Sequence, residues 1–152
     1  MTITLTVPTV FQALRDAVDE KGRTFVYEQE PHLGGCAYVH NVDVEEDADD
    51  NTVHVLTDDS EPGCLVGNAL HRLGVPLTAF LRHNSDSDAG EILDVLYREG
   101  LIRFNGDDEG LLIRRSLMSA QAKQDAGNEW SVALVAAEDR LYDESHRSYE
   151  DF

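Results

Sequence analysis

The chain has 152 residues, 41% of them hydrophobic, which is enough for one domain with a real core. Its 30 acidic residues against 12 Lys and Arg give a formal net charge of −18, which repels nucleic acid and anionic membranes and favours basic partners. Two cysteines argue against a disulfide framework, and no apolar run approaches the roughly 20 residues of a membrane span.

Thr2 to Val7 alternates, with Ile3, Leu5 and Val7 on one face, and predicts a half-buried strand. The same opening lacks the basic region and apolar core of a signal peptide, so the expected compartment is the cytoplasm. Thr9-Val10-Phe11-Gln12 reads as a capping box opening a helix that buries Val10, Phe11, Leu14, Ala17 and Val18 and ends at Gly22. Thr24 to Tyr27 and Cys36 to Val44 read as strands joined through Pro31 and Gly34-Gly35, and Thr52 to Leu56 as a further strand. Between them the acidic run Asp43 to Asp50 predicts a solvated loop, because like charges in one block repel. It lacks the Gly turn and terminal Glu of an EF-hand.

From Pro62 to Arg115 the helix signals are densest. Leu65, Val66, Ala69, Leu70 and Leu73 form one stripe, with Ser60 or Asp58-Asp59 as the expected cap, Gly74 as the stop and Pro76 preventing resumption. A short helix is expected over Leu77 to His83, and another from the Asp88–Glu91 capping box to Gly100. Leu101 to Phe104 and Leu111 to Arg115 then read as two strands around the turn-rich Asn105–Gly110 loop. Beyond them, a helix over Ser116 to Ala126 is followed by one capped at Asn128, with Trp130, Ala133, Leu134, Ala137 and Leu141 on one face. A lone tryptophan on such a stripe is a core or interface anchor, and as an interface anchor Trp130 would support a homodimer. Asp143 to Phe152 reads as a polar acidic tail after a single domain over 1–142.

Chemical motifs are scarce. Cys36, His40, His54, Cys64 and His71 include the ligand types of a zinc site, but neither the Cys36/His40 nor the Cys64/His71 spacing allows a pair to chelate alone. Cys64 at a helix N-terminus has the dipole that lowers a thiol pKa, opposed by Asp58, Asp59 and Glu61 just before it. There is no GxGxxG and no Walker lysine, so no phosphate cradle is predicted. No metal, cofactor or catalytic residue is assigned, and the expectation is a protein that is not an enzyme.

Two resemblances accompany these residues. Helix, LYREGLIRF and the expected hairpin over 62–115 resemble the recognition-helix and wing junction of bacterial winged-helix regulators. That resemblance implies nucleic-acid contacts from Arg98, Arg103, Arg114 and Arg115, against which stand Glu91, Asp94, Glu99, Asp107, Asp108 and Glu109. The pieces CAYVHN, PGCLVGNALHRLGVP and QDAGNEWSVALVAA resemble a set of small uncharacterised proteins of actinobacteria and their phages. It implies such an origin, in keeping with ten Arg against two Lys, and no activity.

The expected fold is therefore α+β, with N-terminal strands and a winged-helix-like unit of helices and hairpin. The leading functional expectation is an acidic binding protein that engages a basic protein, as a host-takeover factor or DNA mimic, through Asp43, Glu45, Glu46, Asp47, Asp49, Asp50, Asp58, Asp59 and Glu61. The alternatives are a winged-helix regulator and a small-ligand or metal binder with a pocket near Cys36 and Cys64.

Overall fold

The N-terminal alternation forms β1 (Ile3–Leu5), and one residue later α1 (Val7–Lys21) begins. Its N-cap is Thr6, three residues before the expected start: Thr6 Oγ1 accepts from the Thr9 N–H at 3.3 Å, and Thr9 Oγ1 from the Thr6 N–H at 3.2 Å. Pro8 suits this first turn, where a missing N–H costs no helical bond. The expected face (Val10, Phe11, Leu14, Ala17 and Val18) is buried, and Gly22 ends the helix at φ +96°. These features come from a computed structural model that describes residues 2–29, 37–85 and 87–150, with side chains described through 146.

The expected Cys36–Val44 strand is broken into β2 (Val39–His40) and β3 (Asp43–Glu46), because Asn41 between them takes φ +60°. Cys36 and the Pro31 and Gly34-Gly35 turn lie outside the described residues. The Thr24–Tyr27 strand reduces to one antiparallel bridge, Val26 with Glu129. The acidic run is half strand rather than loop: β3 pairs antiparallel with β4 (Thr52–Val55), Glu46 opposite Thr52 and Asp43 opposite Val55. Asp47 organises the connecting turn, its Oδ1 accepting from the Asp49 and Asn51 N–H groups at 2.9 and 3.0 Å. β2 pairs with the short β5 (Glu61–Pro62).

α2 (Leu65–Arg72) is capped by Cys64, not by Ser60 or Asp58-Asp59; the Cys64 Sγ accepts from the Gly67 N–H at 3.4 Å. Gly74 closes it at φ +112°, Pro76 starts a 3-10 helix (Leu77–His83), and the Asp88–Glu91 box starts α3 (Ala89–Arg98). β6 (Ile102–Phe104) follows but has no hairpin partner. It pairs parallel with β1, Ile3 opposite Ile102 and Leu5 opposite Phe104.

The expected second arm of the hairpin is helical, so there is no wing. α4 (Asp107–Asp125) takes in Leu111 to Arg115, with Asp107, Asp108 and Glu109 in a first turn whose dipole favours them. Its inward face is Ile113, Ser116, Leu117, Ala120, Gln121 and Gln124. α5 (Trp130–Glu150) runs through the expected tail, of which 143–150 are helical and Phe152 lies outside the described residues. One core, from Leu5 in β1 to Ala137 in α5, joins all the larger elements, and the α+β class and single domain hold.

Buried amides stitch this core together. Gln124 Oε1 accepts from the N–H of Leu65, first residue of α2, at 2.8 Å and from the Trp130 indole at 3.1 Å. Gln121 Oε1 accepts from the N–H of Ala89, first residue of α3, at 2.5 Å, while its Nε2 donates to the Tyr38 hydroxyl at 3.2 Å. One turn of α4 thus supplies an acceptor to the first N–H of each of two other helices, beside their own caps Cys64 and Asp88. Asn84 acts as a one-residue strand beside β2, its Oδ1 accepting from Val39 N–H at 2.7 Å and its Nδ2 donating to Val39 O at 2.9 Å.

Candidate functional site

The acidic residues divide into two populations. In the helical part four carboxylates meet arginines: Asp94 with Arg114 at 2.5 Å, Glu144 with Arg115 at 2.6 Å and with Arg140 at 3.0 Å, Glu138 with Arg15 at 3.4 Å, and Glu20 with Arg72. In the strand part no lysine or arginine occurs between Arg23 and Arg72. Asp43, Glu45, Glu46, Asp47, Asp49, Asp50, Asp58, Asp59 and Glu61 are all exposed, and none takes part in an ion pair among the described residues.

The β3–β4 arm carries six of these nine. Strand alternation puts Asp43 and Glu45 on one face with Val53 and Val55, and Glu46 on the other with Val44, Thr52 and His54. His54 fastens the second face to the body, its Nδ1 lying 3.1 Å from Asn84 Nδ2. Val44 and Val53 remain 45% and 38% exposed, so each face presents an apolar side chain among carboxylates. Asp58 and Asp59 sit at the base, in a turn held by Thr57 and Ser60, whose hydroxyls both donate to Asn41 O, at 2.7 and 2.9 Å. A two-stranded ribbon has little stability of its own, so these anchors fix the arm's direction.

The expected nucleic-acid contacts do not assemble into a binding face. Arg114 and Arg115 are consecutive on α4 and are committed to Asp94 of α3 and Glu144 of α5. Arg103 donates to Thr4 Oγ1 at 2.7 Å, and Arg98 to Asp94 O at 3.4 Å. With the wing absent and these guanidiniums held by the protein's own oxygens, the winged-helix expectation loses its structural basis.

Of the two roles expected for Trp130, core anchor or interface anchor, the structure bears out the first. Trp130 is fully buried, edge-on to Phe25 with centroids 4.6 Å apart, so it anchors the core and no surface. Cys64 is also fully buried, and Cys36 lies outside the described residues, so the Cys36/Cys64 pocket has no description there. His40 Nε2 is 2.6 Å from the Tyr27 hydroxyl, and His71 Nδ1 is 2.9 Å from Val75 O. Among the described residues no three His, Cys, Asp or Glu side chains cluster as a metal site, and no helix is long and apolar enough to cross a membrane.

Comparison with known proteins yields no match: no family model, no curated protein and no solved structure is similar to the chain. The geometry of its own residues is therefore the whole basis for a functional reading.

Proposed function

We propose that the protein is a non-enzymatic binding module whose β3–β4 arm docks a basic segment of another protein. The observation that carries this reading is a local excess of charge: six exposed carboxylates on the arm and three more at Asp58, Asp59 and Glu61, without an ion pair among the described residues, in a stretch with no lysine or arginine between Arg23 and Arg72, whereas Asp94, Glu144, Glu138 and Glu20 each meet an arginine. Self-repulsion in such a group destabilises the free protein and is relieved when cationic side chains arrive. Four strand residues span about 13 Å, a length that suits a short basic peptide segment better than a duplex-sized face. Val44 and Val53 give that segment apolar surface as well as charge.

The test compares two variants of equal charge. Asp43→Asn/Glu45→Gln/Glu46→Gln neutralises the arm and spares Asp47, which holds the turn. Asp16→Asn/Asp19→Asn/Glu99→Gln removes the same charge from exposed positions of the helical part. Partners captured from a lysate at low salt and lost at high salt are expected to disappear for the first variant only. Equal loss from both would show a bulk charge effect and refute a docking arm.

A further inference from the structure

A second surface, away from the arm in sequence, lies where α3, β6 and the start of α4 meet. It is a cleft of about 360 Å³ with Leu93 on its buried floor and Tyr97, Phe104 and Leu111 on its walls. Tyr97 and Leu111 are 57% and 44% exposed, and the Tyr97 ring stacks near-parallel on Phe104 with centroids 6.1 Å apart. Gly110 shapes the cleft: a Cβ there would stand 3.1 Å from the Phe104 ring and would push that ring by a few tenths of an ångström.

Its charge selects the occupant. Arg114 on the rim is neutralised by Asp94, leaving Asp107 on the same rim, followed by Asp108 and Glu109 in the first turn of α4. An anionic ligand meets the Asp107 carboxylate before it can use the helix dipole. A cation instead gains that carboxylate and the exposed Tyr97 ring. We infer that this cleft receives a peptide segment in which one apolar side chain is flanked by lysine or arginine, the apolar group entering between Tyr97, Phe104 and Leu111 and the cation lying toward Asp107. The inference shares with the proposed function the basic character of the partner, but places a separate, shape-dependent contact on other elements.

The probes are a labelled lysine-rich peptide with one central leucine and its alanine-for-leucine control, each titrated into the full-length protein by fluorescence anisotropy, with amide shifts mapped by NMR. Partial burial of the leucine is expected to tighten binding about tenfold over the control. The shifts specific to the leucine peptide are expected at Leu93, Tyr97, Gly110 and Leu111. Leu111→Gln, at an exposed helical position, is expected to erase the leucine advantage without weakening the alanine peptide. Equal affinity of the two peptides, or leucine-specific shifts elsewhere, overturns the cleft. If equal binding is also abolished by neutralising the arm, the docking arm survives and the cleft alone fails. If neither peptide binds, both readings fail.

Discussion

Replacing Gln124 by methionine tests whether α4 holds the other helices through its buried amides. Methionine nearly matches the shape of glutamine but cannot accept the two bonds that converge on Oε1, from Leu65 N–H at 2.8 Å and Trp130 Nε1–H at 3.1 Å. Both donors are in the core and have no water to turn to. Each buried donor left without a partner costs about 1–3 kcal/mol. Against this, the apolar thioether gains on the order of 1 kcal/mol by burial. The expected net loss is about 2–4 kcal/mol, a large part of the roughly 5–15 kcal/mol that keeps a domain folded. Urea unfolding reads it directly, because Trp130 is the only tryptophan and reports from the same hydrogen bond. With a slope of about 1–3 kcal/mol/M the midpoint should fall by about 1–2 M. A native indole emission shifted to the blue should accompany it. A loss under about 0.5 kcal/mol would refute the reasoning, since two desolvated donors cannot be abandoned that cheaply.

Other expectations concern single sites. Ser116 is fully buried and its Oγ has no hydrogen-bond partner among the described residues, so Ser116→Ala should leave stability unchanged or raise it by about 1 kcal/mol in the same urea assay. Gly67→Ala should destabilise by about 2–3 kcal/mol although alanine is the better helix former, because the added Cβ would sit 2.7 Å from the Tyr38 carbonyl oxygen; an unchanged thermal midpoint would disprove that contact. Partial burial pushes the Asp125 carboxyl above its usual range, against the lowering by the Gln124 Nε2 bond. A raised folded pKa means the folded state holds this proton more tightly, so ionisation above the folded value costs stability that is absent below the unfolded value near 3.9. Asp125→Asn should therefore raise the melting temperature at neutral pH, with the gain vanishing as pH falls through the carboxylate range.

Helix stops were legible in the sequence, and helix starts only in part, since Thr6 and Cys64 cap α1 and α2 in place of Thr9 and Ser60 or Asp58-Asp59. Gly22, Gly74, Gly100 and Gly127 all take positive φ, and the Asp88–Glu91 box forms as its residue types dictate. The start of α4 was not legible. Its inward face includes Ser116, Gln121 and Gln124, so a buried side reads as polar and the apolar cluster Leu111–Ile113 stands out as a strand. Those glutamines are buried because distant helix ends need acceptors, a need that no local pattern announces. The β1–β6 pairing is equally silent locally, since its strands lie nearly a hundred positions apart. The exposure of the acidic arm could be read in advance, as could its lack of counter-charges from the gap between Arg23 and Arg72. The cleft could not, because it depends on Gly110 meeting Phe104 in space.

The two glutamines of α4 also bear on how the chain matures as it leaves the ribosome. α2 and α3 are synthesised well before the side chains that complete their first turns, and β1 waits for β6 from the opposite end of the same interval. Until Gln121 and Gln124 emerge, α2 and α3 each keep one first-turn N–H without its buried acceptor, although β6 is already available to β1. The buried face of α4 and its two amides thus complete the packing late, and a ribosome stalled before α4 would display a chain more protease-sensitive than the finished protein.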